Sequence, residues 1–276
     1  MPDHILYHIF YVIISAFSEF LPVSARAHQM LYEELTGSTM TDPVVALMIH
    51  LGELIALCLS CRSLLRRLSV GKRMEKRSKG RQREIDRSSI LDGRVLRTMC
   101  IPLILGSVLC VFGSRWVTGL HLLAVASVLG GALLFVPQLF SRGNKDGRML
   151  SRLDSVCIGL AGVLAVIPGF SRVGGMLSVG TIRGGRMDYL ADIILVASIP
   201  VIILFCALDM VAIFGIQFVL TLQSLLWYLF LGAVSFLFAY LGTMLLRFIS
   251  VKTDTVTFSF YSWGIAAVSF VLYLLI

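Results

Sequence analysis

Pro168-Gly169-Phe170-Ser171-Arg172 sits in the middle of an apolar stretch, 153–187, that would otherwise be long enough to cross a membrane. A second stretch, 5–34, is interrupted in the same way by Glu19, Pro22, Ser24, Arg26 and His28. Proline removes a backbone donor and pushes the preceding residue out of helical geometry, so each stretch breaks where its polar residues lie. Broken backbone at membrane depth is tolerated only where protein encloses it or where it lines a wet cavity. Both stretches are therefore expected to be re-entrant helix pairs that enter and leave on one side.

The rest of the chain agrees with a membrane setting. Its 276 residues are 57% hydrophobic and only 14% charged, where a soluble domain carries about 25% charged residues. Mean hydropathy is +0.88. Six segments (44–62, 98–117, 121–140, 190–212, 224–246 and 256–276) have the length of roughly 20 apolar residues that a bilayer span needs. The expected fold class is thus an all-α integral membrane protein, one domain over 1–276, with six transmembrane helices and two re-entrant pairs. The six cysteines lie in apolar stretches, and Cys58-x-x-Cys61 has no partner pair at zinc spacing, so they read as small buried hydrophobes.

Charge sets the orientation. Residues 62–97 hold 13 Lys and Arg against 4 Asp and Glu, which places this loop in the cytoplasm. Counting spans from there puts 141–152, 183–189 and 247–255 inside too, and all three carry Lys or Arg. The predicted outer loops, 35–43, 118–120 and 213–223, carry none. The agreement requires that neither broken stretch crosses. The basic run from Arg66 to Arg97 has no aromatic residue, so nucleic acid is not an expected partner.

Pro22-Val23-Ser24-Ala25-Arg26 and Pro168-Gly169-Phe170-Ser171-Arg172 share a P-x-x-x-R frame, offset by 146 from Pro22 to Pro168. The same offset carries 44–62 onto 190–208. Each half is then a re-entrant pair followed by three spans, repeat 1 over about 1–140 and repeat 2 over about 147–276, inserted in opposite senses. Inverted repeats build their site near the midplane, where the broken helices meet. That pocket is expected to gather Glu19, Ser24, Arg26 and His28 with Ser171 and Arg172. Two arginines, hydroxyls and helix N-termini favour a phosphate. Gly174 and Gly175 would allow the backbone close to it. His28 suits proton transfer, and Glu19 suits a base or a divalent-cation ligand. A phosphorylated lipid fits best, its head in the pocket and its tail in the bilayer.

Glu19-Phe20-Leu21-Pro22-Val23-Ser24-x-x-Ala27-His28 resembles the first signature of the bacitracin-resistance family of undecaprenyl-diphosphate phosphatases. Pro168-Gly169-Phe170-Ser171-Arg172-x-Gly174 resembles the second, and His50-Leu51-Gly52, Ile199-Pro200 and Ala207-Leu208-Asp209 extend the likeness along the chain. The resemblance implies hydrolysis of undecaprenyl diphosphate to the monophosphate at the outer face of the bacterial inner membrane, recycling the lipid carrier of wall synthesis. It implies a divalent cation, magnesium or calcium, with Glu19 as a ligand. Glu19, His28, Arg172 and Ser24 take the family's catalytic places, with Arg26, Ser171, Gly174 and Gly175 around the phosphate. Four positions depart from the signature: Ser15 stands where a second glutamate is usual, Ala25 where a serine follows Ser24, Arg26 where a small hydroxyl residue is usual, and Val173 where a serine follows Arg172. A polyprenyl-phosphate binder or flippase that does not hydrolyse its lipid stays open, as does a homodimer.

Elsewhere in the spans, His50 and Glu53 share a helix face at i and i+3. They read either as a relay near the pocket or as a local hydrogen-bonded pair. Asp192 is expected to meet Arg183 or Arg186, and Asp209 to be wet at an outer helix end. Gly130-Gly131, Gly159 and Gly162 are expected to let helices approach closely.

Overall fold

The structure is a computed structural model that describes residues 2–66, 92–113, 119–141, 143–146, 149–216, 221–252 and 254–276. Most of the basic loop, 67–91, lies outside the described residues. What is described is helical: α1 (Pro2–Ser18), α2 (Ala25–Thr36), α3 (Pro43–Ser60), α4 (Gly93–Gly113), α5 (Leu120–Phe135), α6 (Arg152–Val163), α7 (Arg172–Ile182), α8 (Met187–Phe214), α9 (Leu222–Lys252) and α10 (Val256–Leu275). Short 3-10 turns at Val136–Leu139 and Leu164–Val166 extend α5 and α6.

Five of the six expected spans are helices long and apolar enough to cross a bilayer: α3, α5 with its 3-10 turn, α8, α9 and α10. The remaining span, 98–117, corresponds to α4, and its end at 114–118 lies outside the described residues. The broken stretches behave differently. Helices α2, α6 and α7 have 12, 12 and 11 residues, so each rises only ~16–18 Å, about half of a hydrocarbon core of ~30 Å.

The helices pack in corresponding sets. α1 lies on α9 as α6 lies on α4, α3 on α9 as α8 on α4, and α1 on α2 as α6 on α7. α3 also packs on α8, and α5 on α10. Without a hydrophobic drive between helices in lipid, such contacts depend on close backbone approach. Small residues supply it. A Cβ on Gly52 would sit 2.7 Å from the Gly232 carbonyl oxygen, one on Gly242 would sit 2.8 Å from that of Phe17, and one on Gly159 would strike that of Met99. Gly130 of α5 lets the second break approach, its Cβ position being 2.5 Å from the Gly169 carbonyl oxygen.

Polar groups at the ends of α8 depart from the sequence reading. Asp192 accepts from Arg247 Nε of α9 at 2.9 Å, and Arg247 also donates to the Ser60 carbonyl. Arg183 instead binds Asp154 of α6, and Arg186 binds Asp188 in the first turn of α8. Asp188 lies beside the loop arginines, whereas one turn further on Asp192 meets α9. Sequence distance alone favoured the wrong pair.

Candidate active site

The site forms where the two breaks meet. After α1 the chain turns over Ser18–Leu21, with Leu21 N–H donating to Ser18 C=O, and Phe20, Leu21 and Val23 are all buried. At the second break Ile167 and Phe170 N–H donate to Leu164 and Ile167 C=O. Gly169 adopts φ +106° there, where its missing side chain also clears the Ser127 backbone nitrogen.

Each break ends in a serine that starts the next helix. Ser24 Oγ caps α2 by accepting from Ala27 N–H at 3.3 Å, and Ser171 Oγ caps α7 by accepting from Gly174 N–H at 3.0 Å. The same two hydroxyls sew the breaks together: Gly169 N–H donates to Ser24 Oγ at 3.1 Å, and Ser171 Oγ donates to Leu21 C=O at 3.1 Å. Two helix N-termini thus face the junction, where their dipoles favour an anion.

Arg172, the first residue of α7, is buried, and Glu19 is half-buried. Its Nη2 donates to Glu19 Oε1 at 2.5 Å, while its Nε and Nη1 have no hydrogen-bond partner among the described residues. Buried guanidinium donors without partners are costly. A ligand with several acceptor oxygens would relieve that cost. Beside the pair lies a cavity of about 200 Å³ whose wall includes Glu19, Ser24, Ala25, Arg26, Gln29, His50, Ser107 and Arg172. It adjoins a second cavity, of about 360 Å³, that shares Arg26, Gln29 and His50 and reaches Asp42, Pro43 and Asp209.

Of the residues the sequence singled out, Glu19, Ser24, Arg26 and Arg172 line the first cavity. His28 does not. Its Nδ1 lies 2.6 Å from Ser24 C=O and its Nε2 lies 2.6 Å from Tyr261 Oη of α10, with the two rings stacked. Ser171, Gly174 and Gly175 are also absent from the wall. Gly174 N–H is taken by the Ser171 hydroxyl and Gly175 N–H by the Ser171 carbonyl. Gly175 serves packing instead, with a Cβ position 2.8 Å from the Ala161 carbonyl of α6. A helix start uses its own N–H groups in the cap first, so these glycines do not offer them to a ligand.

His50, for which the sequence left a relay near the pocket and a local pair with Glu53 both open, lines the wall. His50 Nδ1 lies 2.5 Å from Asp209 Oδ2, an ion-pair distance across α3 and α8, with the two side chains 25% and 17% exposed. Asp209 is therefore paired and not simply wet, and His50 bonds to it and not to Glu53. Glu53 is buried, with its Oε2 lacking a partner among the described residues. Ser15 occupies the place of a carboxylate as a hydrogen-bonded hydroxyl, donating to Tyr11 C=O and accepting from Gln29 Nε2. Gln29 and Ser107 carried no sequence signal, because an amide or a hydroxyl in an apolar chain marks no chemistry until its neighbours are known.

The sequence has relatives. The family model described as bacitracin resistance protein BacA matches residues 8–268. The chain belongs to that family. Among curated members named undecaprenyl-diphosphatase, it is 27% identical over 265 residues to the protein of Alteromonas mediterranea, covering 94% of this chain and 95% of that one. It is 30% identical over 200 residues to the Anaeromyxobacter protein, covering 71% of this chain and 64% of that one. For the Synechococcus elongatus protein the figures are 30% over 197 residues, 67% and 65%. The BacA family setting makes this a multi-pass membrane protein and gives the Glu19–Arg172 pair its chemical context.

The residues present do not fit a divalent cation held by the protein alone. Glu19 is engaged by Arg172, position 15 carries a hydroxyl, and no group of three His, Cys, Asp or Glu comes together among the described residues. Hard cations require several oxygen ligands.

Proposed function

We propose that this BacA-family protein hydrolyses undecaprenyl diphosphate to undecaprenyl phosphate and inorganic phosphate at the outer face of the bacterial inner membrane. One observation carries the reading: Arg172 presents two unpartnered N–H nitrogens, buried, beside a polar cavity at the meeting of two helix N-termini. A guanidinium needs no carboxylate ligand to neutralise phosphate. Arg172 would grip the terminal phosphoryl oxygens, Glu19 would fix the guanidinium plane, and Arg26 would meet the head group from the wider second cavity. The second cavity reaches the loop before α3, which the distribution of Lys and Arg assigns to the outside. Exchange of helix partners between the halves supports an inverted repeat, which fits a site shared by both breaks.

Ala25 removes any covalent role for a hydroxyl at that position, so the nucleophile is water. Ser24 is an unsuitable replacement because its oxygen already accepts two backbone N–H groups.

Purified protein in detergent, supplied with undecaprenyl diphosphate with and without magnesium or calcium, tests the reading. Phosphate release that collapses in Arg172→Ala supports it. Binding of the lipid through Arg172 without release would overturn it in favour of a binder or flippase, to be followed in liposomes.

A further inference from the structure

The wall of the first cavity holds a histidine that is free to act, and it is not His28. His28 has both ring nitrogens within hydrogen-bond distance of other groups, Ser24 C=O and Tyr261 Oη. His50 is held on one side only. Its Nδ1 faces Asp209 Oδ2 at 2.5 Å, and its ring leans on Phe205 with centroids 5.3 Å apart. A carboxylate accepts and does not donate, so Nδ1 carries a proton, and in the neutral ring the lone pair is then on Nε2. No partner of Nε2 occurs among the described residues. His50 lines the same cavity as Glu19 and Arg172, and it also lines the second cavity with Asp209.

A carboxylate that fixes the tautomer of a histidine, with the far nitrogen open beside a bound electrophile, is the arrangement of a general base and its orienting residue. We propose that His50 is the general base of the hydrolysis and that Asp209 is its positioning residue. The inference rests on the diphosphatase reading above. Water attacks the terminal phosphorus, and its proton passes to His50 Nε2. The new P–O bond forms as the bond from that phosphorus to the bridging oxygen breaks. The electron pair stays on the bridging oxygen, which becomes a terminal oxygen of the polyprenyl monophosphate. The imidazolium then returns its proton to the released phosphate. Nothing is oxidised or reduced, and one water is consumed. Phe205 and Asp209, one helical turn apart on α8, hold the ring from two sides.

The test uses wild type, His50→Gln, His50→Ala and Asp209→Asn in detergent, measuring kcat and KM for phosphate release from undecaprenyl diphosphate. His50→Gln keeps a donor toward Asp209, so its fold is preserved, and thermal unfolding checks this. The expected result is a kcat lowered by about 10²–10⁴ in both His50 variants with KM nearly unchanged. Asp209→Asn should lower kcat less, and free imidazole should restore part of the His50→Ala rate in a saturable way. A His50→Gln enzyme with near wild-type kcat, or a loss confined to KM, overturns the assignment. Inactive wild type would instead remove the diphosphatase reading, and the base with it.

Discussion

The two breaks solve one problem with different means. Each must turn the chain, cap a helix and hold the other break. The serines do this reciprocally, Ser24 accepting from Gly169 N–H and Ser171 donating to Leu21 C=O. The arginines do not correspond. The P-x-x-x-R frame pairs Arg26 with Arg172, but the caps set the register: Ser24 precedes Ala25 on α2, and Ser171 precedes Arg172 on α7. Arg26 is thus one residue further along its helix, a rotation of about 100°. Arg172 ends up buried on Glu19, while Arg26 is exposed and donates to Gln29 Oε1 at 3.3 Å. The second break also needs a glycine at positive φ, and the first has none. One half supplies the buried grip and the other a looser, wetter contact.

The largest effect should separate the arginines. Arg172→Ala removes the guanidinium donors that face the cavity without a partner among the described residues, and two hydrogen bonds to a charged ligand contribute about 3–6 kcal/mol, so phosphate release and lipid binding should fall by two decades or more. Arg26→Ala should lower binding by about fivefold at most, as expected of an exposed charge. Isothermal binding of the lipid in detergent checks both. Equal losses would break the contrast between the two halves.

Gly169→Ala should come next. A side chain at φ +106° is strained and meets the Ser127 nitrogen at 2.7 Å, so the fold should be destabilised by more than about 1 kcal/mol, read as a lower folded yield and thermal midpoint. The matching substitution in the first break, Val23→Ala, at the buried residue that follows Pro22 as Gly169 follows Pro168, tests packing only and should leave the turn intact.

Removing either cap sharpens the symmetric part of the comparison. Ser24→Ala and Ser171→Ala each lose an N-cap, about 1 kcal/mol, and one bond between breaks, about 1 kcal/mol more. Thermal unfolding should show similar losses for both, with kcat of the surviving folded protein largely retained. A selective collapse of kcat in Ser24→Ala would restore that serine to the chemistry.

The smallest effect is expected at His28. As a tether to Tyr261 it should be mimicked by Tyr261→Phe, with activity changes of a few-fold at most in either variant, read from kcat. A loss of about 10² in His28→Gln that Tyr261→Phe does not share would show that the ring leaves α10 to act on substrate.

Much of this molecule was legible in its residues. Apolar runs and prolines located the spans and both breaks because bilayer thickness and backbone satisfaction leave few alternatives. Glu19 and Arg172 stood out because charge is scarce in such a chain. Gly159 and Gly162 read correctly as packing residues, since a glycine in an apolar helix has little else to offer. What the residues left undecided is direction. Gly174 and Gly175 follow a phosphate-binding arginine in sequence, yet their N–H groups close the α7 cap. His50 and Glu53 share a helix face, yet His50 reaches across to Asp209, 159 residues away.

Sequence by itself determined the solvent this chain lives in, where its backbone must break, and that an acid and an arginine lie at the break. Tertiary structure decided which of two arginines is buried, which of two histidines keeps a free nitrogen, and which carboxylate orients it. Composition and period act through averages over many residues, which a bilayer reads directly. Orientation depends on a single residue of helical register and on contacts between segments far apart in the chain, and only packing fixes those.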